Sequence, residues 1–141
     1  MRKLLVATVK ANVMDLPYML HGGAPKVWSR TSLGVDDIPP DPVKPFAIVT
    51  AQPSTVHQAV QDTSNAQGTP FQVYVYDTKG GYTRIDEVLE ALVAPVKALA
   101  GVRSPSGAYC IGSRWEGFSQ DMFAEEYDAA MRFATFRLTS T

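Results

Sequence analysis

Leu5, Val9, Val13 and Leu16 recur at three- and four-residue intervals, with Leu4, Thr8 and Ala11 alongside. This spacing predicts an amphipathic helix from residue 2 to about residue 16, stopped by Pro17. Between Pro17 and Pro45 lie six of the ten prolines together with Gly22, Gly23 and Gly34, a composition that excludes a long helix. Within that stretch only Lys26-Val27-Trp28-Ser29-Arg30 reads as a short strand. Residues 31–44 form an extended loop, longer than ordinary connections. Pro45-Phe46-Ala47-Ile48-Val49-Thr50-Ala51 is a short apolar run with β-branched residues and reads as a buried strand. The polar segment 52–68 reads as a loop, with one helical turn near Val56 to Val60. Phe71, Val73 and Val75 then alternate with Gln72, Tyr74 and Tyr76, the pattern of a strand with two unlike faces.

Asp77-Thr78-Lys79-Gly80-Gly81 turns the chain, and Thr83 is placed to cap a helix with Asp86 in the capping-box position. Ile85, Val88, Leu89, Leu92, Val96 and Leu99 follow at helical spacing, and Gly101 stands where a C-terminal cap belongs. Pro95 predicts a kink or an early end. Ala108 to Trp115 reads as a strand, and Gly117 as a turn or bulge. The last segment has helix formers from Ala124 to Ala130, yet Tyr127, Ala129, Met131, Phe133 and Thr135 alternate with their neighbours. A strand from about residue 126 to 138 accounts for that alternation. The whole predicts one α+β domain over 1–141: a small mixed or antiparallel sheet of about four to five strands, packed with an N-terminal helix and one central helix.

Composition narrows the function. Thirteen Lys+Arg against 14 Asp+Glu leave a net charge of −1, which disfavours the dense phosphate contacts of a nucleic-acid coat. Cys110 is the one cysteine, so neither an intrachain disulfide nor a thiolate cluster is available. Lys10 and Asn12 interrupt the apolar opening of the chain, and no run of about 18 apolar residues occurs, so the expectation is a cytosolic protein without a membrane span. His21 and His57 are far apart in polar loops, and no HExxH, GxxxxGK[ST] or GxSxG appears. Gly80-Gly81 lacks the other glycines of a dinucleotide fingerprint. Asp36, Asp37 and Asp41 are hard-cation ligand types, but Pro39, Pro40 and Pro42 leave little freedom to wrap an ion, and an exposed acidic loop is expected. Cys110 reads as a small core residue. Tyr74, Tyr76 and Tyr82 have the chemistry to stack bases, but the missing basic surplus weakens that case, and packing against a helix or a neighbouring subunit explains them. No catalytic, cofactor-binding or metal-ligating residues are assigned.

The neutral total hides an asymmetry. Arg2, Lys3, Lys10, Lys26 and Arg30 face only Asp15 in the first thirty residues, whereas Glu116, Asp121, Glu125, Glu126 and Asp128 follow one another without an intervening base. Such segregation can steer one copy of a chain against another.

The order of segments resembles the tail terminator, or tail completion, proteins of long-tailed bacteriophages. Its carriers are Val27-Trp28-Ser29-Arg30, Lys44-Pro45-Phe46-Ala47-Ile48-Val49, Phe71-Gln72-Val73-Tyr74-Val75-Tyr76-Asp77, the helix from Ile85 to Leu99, and Ser119-Gln120-Asp121-Met122-Phe123 leading into Tyr127 to Leu138. The resemblance spans nearly the whole chain and is an ordered pattern of short motifs. It implies a ring, typically of six subunits, that caps the completed tail tube in the virion, ends tube polymerisation and meets the head. The implied partners are the chain itself, the tail tube protein and a head completion or connector protein, with DNA passing through the lumen without specific binding. It implies no cofactor, no membrane and no catalysis. The long loops 31–44 and 52–68 depart from the pattern. A closed head-to-tail ring needs two different complementary patches on each subunit. The candidates are Arg2, Lys3 and Lys10 on one side, and Glu116, Asp121, Glu125, Glu126 and Asp128 on the other. Two alternatives are a head-to-tail connector or stopper, and a small cytosolic enzyme using His57 or His21 with Asp37.

Overall fold

A computed structural model describes residues 1–30, 38–51, 67–105 and 107–140. Helix α1 spans Arg2–Asn12 and buries Leu4, Leu5 and Val9. It ends four residues before the sequence predicts. Pro17 biases the residue before it toward extended backbone, and Leu16 is extended at φ −112° and ψ 95°. Val13 instead closes the helix, its N–H donating to the Val9 carbonyl. A 3₁₀ turn, Pro17–Met19, then leads into a two-residue hairpin, β1 (Leu20–His21) and β2 (Ala24–Pro25), which the sequence did not announce. Gly22 and Gly23 make its turn at φ of 61° and 80°, where other residues are strained.

The main sheet holds β3 (Val27–Arg30), β4 (Phe46–Ala51), β5 (Gln67–Asp77), β6 (Cys110–Phe118), β7 (Met122–Ala124) and β8 (Ala129–Ser140). Their order is β3-β4-β5-β8-β6, with β7 also beside β8, so among the described residues the sheet has six strands rather than four or five. It is mixed: β3 and β4 are parallel, and every other pair is antiparallel. β5 outruns the predicted 71–76 because β8 pairs along all of it, from Gln67↔Ser140 to Asp77↔Ala130. Pro70 lies beyond the last β4 pair, Ala51↔Phe71, where a missing N–H is tolerated.

Helix α2 spans Tyr82–Lys97. Its N-cap is Gly81 and no side chain caps it, so Thr83 falls inside the first turn and the predicted capping box does not form. Asp77 does the anchoring: its carboxylate accepts from Thr78 N at 2.7 Å and from Arg84 Nε and Nη2 at 2.7 Å each. Asp86 pairs with Arg132 of β8 instead of reaching back to the cap. Pro95 is accommodated inside the helix two residues before its end. Ala91, whose carbonyl Pro95 cannot bond, is exposed to water. The cap is Ala98, and Gly101, at φ 92°, instead turns the chain into β6, its N–H donating to the Cys110 carbonyl.

The predicted strand from 126 is also corrected. Glu125–Tyr127 is a 3₁₀ turn, Asp128 is left-handed at φ 48°, and β8 begins at Ala129. Tyr127 leaves the strand register because its ring packs on Phe46 and Tyr76, at 5.1 and 5.0 Å between centroids. Gly117 behaves as the sequence indicates: it sits at φ 121° in a bulge of β6.

Both helices lie on one face of the sheet, α1 against β3 and β4, α2 against β5, β8 and β6. Leu5, Val9, Val27, Val49, Val73, Val75, Ile85, Leu89, Leu92, Val96, Phe136 and Leu138 form the core between the layers. The alternation of β5 divides accordingly, with Phe71, Val73 and Val75 toward the helices and Tyr74 and Tyr76 on the other face.

Candidate functional site

Strand pairing turns separate aromatic residues into rows on the face away from the helices. Trp28, Ile48, Tyr74 and Phe133 lie side by side across β3, β4, β5 and β8, and Phe46, Tyr76 and Met131 form the next row. Phe46 stacks on Tyr76 at 4.8 Å, and Tyr74 meets Phe133 at 4.9 Å. Tyr127 and Ile38 pack on this cluster from outside the sheet. Burial pushes the Tyr74, Tyr76 and Tyr127 phenols above their ordinary range. Tyr74 and Tyr76 thus pack against rings of the sheet and of Tyr127 on the face away from the helices, not against a helix.

Arg30 spans the same face. Its Nη2 donates to the Tyr127 hydroxyl at 2.7 Å and pairs with Glu126 at 3.2 Å. The acidic series, unopposed in the sequence, thus meets bases brought from elsewhere by the fold. Glu116 lies between Arg114 at 3.0 Å and Arg137 at 3.3 Å. Burial raises its pKa, but the two guanidiniums together hold it below the ordinary value. Asp121 faces Arg132 Nε at 3.5 Å. The backbone carbonyl of Asp128 accepts from Lys44 Nζ at 2.9 Å. The exposed carboxylates of Glu125 and Asp128 make no ion pair among the described residues.

Arg2, Lys3 and Lys10 are brought together. They line a groove of about 260 Å³ between α1 and the edge strand β3, with Val6, Ala7, Val27, Trp28 and Ser29. α1 carries no acid to offset them. At the far edge of the sheet, Tyr109, Ile111 and Trp115 on and beside β6 are 38%, 45% and 37% exposed. Among the described residues, no strand pairs with the outer side of β3 or β6. The alternation of Tyr109 and Ile111 with Cys110 was the available signal for this apolar edge, since it placed apolar groups on both faces of one strand.

His21 is exposed, while His57, Asp36 and Asp37 lie outside the described residues, as does the predicted turn near Val56 to Val60. Asp41 is exposed, as expected. Cys110 is fully buried, its thiol donates to the Gly112 carbonyl, and burial pushes its pKa up. Among the described residues no group of three metal-ligating side chains occurs, and no helix is long and apolar enough to cross a membrane. No protein-family model matches the chain, and no curated protein matches it.

Proposed function

We propose that the chain is a structural virion protein of the tail terminator type, capping the tail tube as a ring of identical subunits and forming part of the head-tail joint. The observation that carries the reading is one sheet with two unlike edges: β3 beside a basic groove, and β6 lined by exposed Tyr109, Ile111 and Trp115. A closed head-to-tail ring requires two different patches, because each subunit offers one to the neighbour before it and the other to the neighbour after it. Edge strands also carry unpaired backbone donors and acceptors, which a neighbouring copy can satisfy. The ordered resemblance of the segments supplies the biological setting: a tail tube protein below, a head completion protein above, and DNA passing through without sequence-specific contacts.

The test is assembly. The purified chain should form a closed oligomer by native mass spectrometry, alone or on added tail tubes, and should be seen at one end of the tubes by electron microscopy. Ile111→Asp should abolish the oligomer while leaving the monomer folded. A wild-type chain that stays monomeric at all concentrations and does not bind tube ends would overturn the reading. Capture on head vertices before any tail is present would instead favour a connector.

A further inference from the structure

Two surfaces that the fold holds apart match one another in charge and in spacing. On α1, Lys3, Ala7 and Lys10 are exposed and stand four and three residues apart, which puts them on one helical face with Val6 beside them. All four line the groove beside β3. The two lysines therefore bracket an apolar stretch, their Cα atoms roughly 10 Å apart at 1.5 Å per residue. Neither makes an ion pair among the described residues, and α1 holds no acid.

β7 presents the reverse. Met122 and Ala124 pack into the aromatic cluster, whereas Phe123 between them is paired with Ala130 of the helix-side core and is 43% exposed. Asp121 and Glu125 stand two residues to either side of Phe123, about 13 Å apart along extended backbone. The Asp121 side chain is 63% exposed, and Glu125 is exposed. Two bases stand near this strand. Arg132 faces Asp121, but the same guanidinium also pairs with Asp86 of α2, and Lys79 Nζ lies 5.4 Å from the centroid of the Phe123 ring. Among the described residues no base pairs with Glu125.

One chain cannot bring these surfaces together. β7 lies beyond β8, so β4, β5 and β8 separate it from β3. On the helix side α2 covers β5 and β8 and stands between α1 and β7. A second copy meets no such obstacle. β6 and β7 pair with the same side of β8, so β7 continues the edge that carries the exposed Ile111.

We infer that β7 of one copy docks on the α1 groove of the next. Phe123 lies against Val6 and Ala7, and Asp121 and Glu125 meet the basic ends of the groove, Arg2 with Lys3 at one and Lys10 at the other. This docking rests on the ring reading and names its contact: each copy offers one surface of each kind at opposite ends of its sheet, so the repeat runs head to tail.

A charge swap provides the test. Lys3→Glu with Lys10→Glu makes both surfaces of the chain acidic, and Asp121→Lys with Glu125→Lys makes both basic. Each doubly substituted chain alone should assemble about tenfold more weakly than wild type by concentration-dependent light scattering. Mixed in equal amounts, they pair acidic groove with basic strand and basic groove with acidic strand, and native mass spectrometry should show oligomers containing both. Should Asp121→Lys disturb the fold through Arg132, cysteine pairing gives a second route. Ala7→Cys with Phe123→Cys should oxidise to a ladder of covalent oligomers, and either cysteine alone should not, Cys110 being buried. If wild type assembles but the acidic variant assembles equally well, folded variants fail to rescue one another, or no ladder forms, the docking is overturned and the ring stands. A wild type that stays monomeric overturns the ring and the docking with it.

Discussion

Arg84→Met and Asp77→Asn remove the same ion pair, yet the first should cost the protein much more stability than the second. Asp77 is fully buried, and its carboxylate accepts three hydrogen bonds of 2.7 Å, two of them from Arg84. The Arg84 side chain is 42% exposed. Losing the arginine strands a buried charge with the Thr78 N–H as its remaining hydrogen-bond donor among the described residues, a situation that costs about 3–5 kcal/mol. Losing the charge on Asp77 leaves a guanidinium that water can reach. The asparagine keeps the shape and an acceptor for Thr78, so the cost is about 1–3 kcal/mol. Methionine is chosen over alanine so that a side-chain stem still covers Tyr18, above which the guanidinium sits at 5.5 Å. For a domain of this size, 1 kcal/mol corresponds to a melting shift of roughly 3–4 °C, between the ranges for smaller and larger domains. Arg84→Met should therefore melt roughly 10–20 °C below wild type and Asp77→Asn roughly 3–12 °C below, followed by circular dichroism and checked by urea unfolding. In the Asp77→Asn background, Arg84→Met should lose most of its effect, because no buried charge is left to strand. Equal losses for the two single variants, or full additivity in the double, would refute the reasoning.

Further outcomes follow from other parts of the fold. Phe136→Ala should destabilise by about 3–5 kcal/mol in urea unfolding, since Phe136 is fully buried between β8 and the helices. Gly117→Ala should cost about 1–3 kcal/mol through backbone strain alone, because φ is 121° there and a methyl group meets nothing within 4 Å. Stability should rise with pH across the window below the ordinary lysine value of 10.5, because the unfolded chain binds the Lys26 proton more tightly than the folded one, and Lys26→Met should flatten that slope. Charge reversal of the exposed Glu125 should weaken assembly without changing the melting temperature, whereas Glu126→Lys should also lower it by breaking the contact with Arg30, as paired light scattering and melting curves would reveal.

Periodicity alone carried the two helices and the two faces of β5, because each rests on spacing within one segment, while Cys110 was placed in the core from its residue type on a predicted strand. The ends of elements were less legible. α1 stops early because Pro17 acts on Leu16, and α2 starts early because Asp77 holds Thr78 and Arg84 at the turn, contacts made across several residues. The charge asymmetry was plain in the sequence, but its meaning was not. Arg30 and Glu126 are 96 residues apart along the chain and in contact in the fold, as are Arg137 and Glu116 at 21.

Composition and local pattern thus determined an α+β domain with a basic first helix and an acidic late segment. Both depend on residues within a few positions of one another. Tertiary structure decided which charges neutralise each other, that Tyr127 leaves its strand to roof the aromatic face, and that β3 and β6 form opposite edges of the sheet. Each of these is set by strand order and register, which bring together residues that no window of sequence contains.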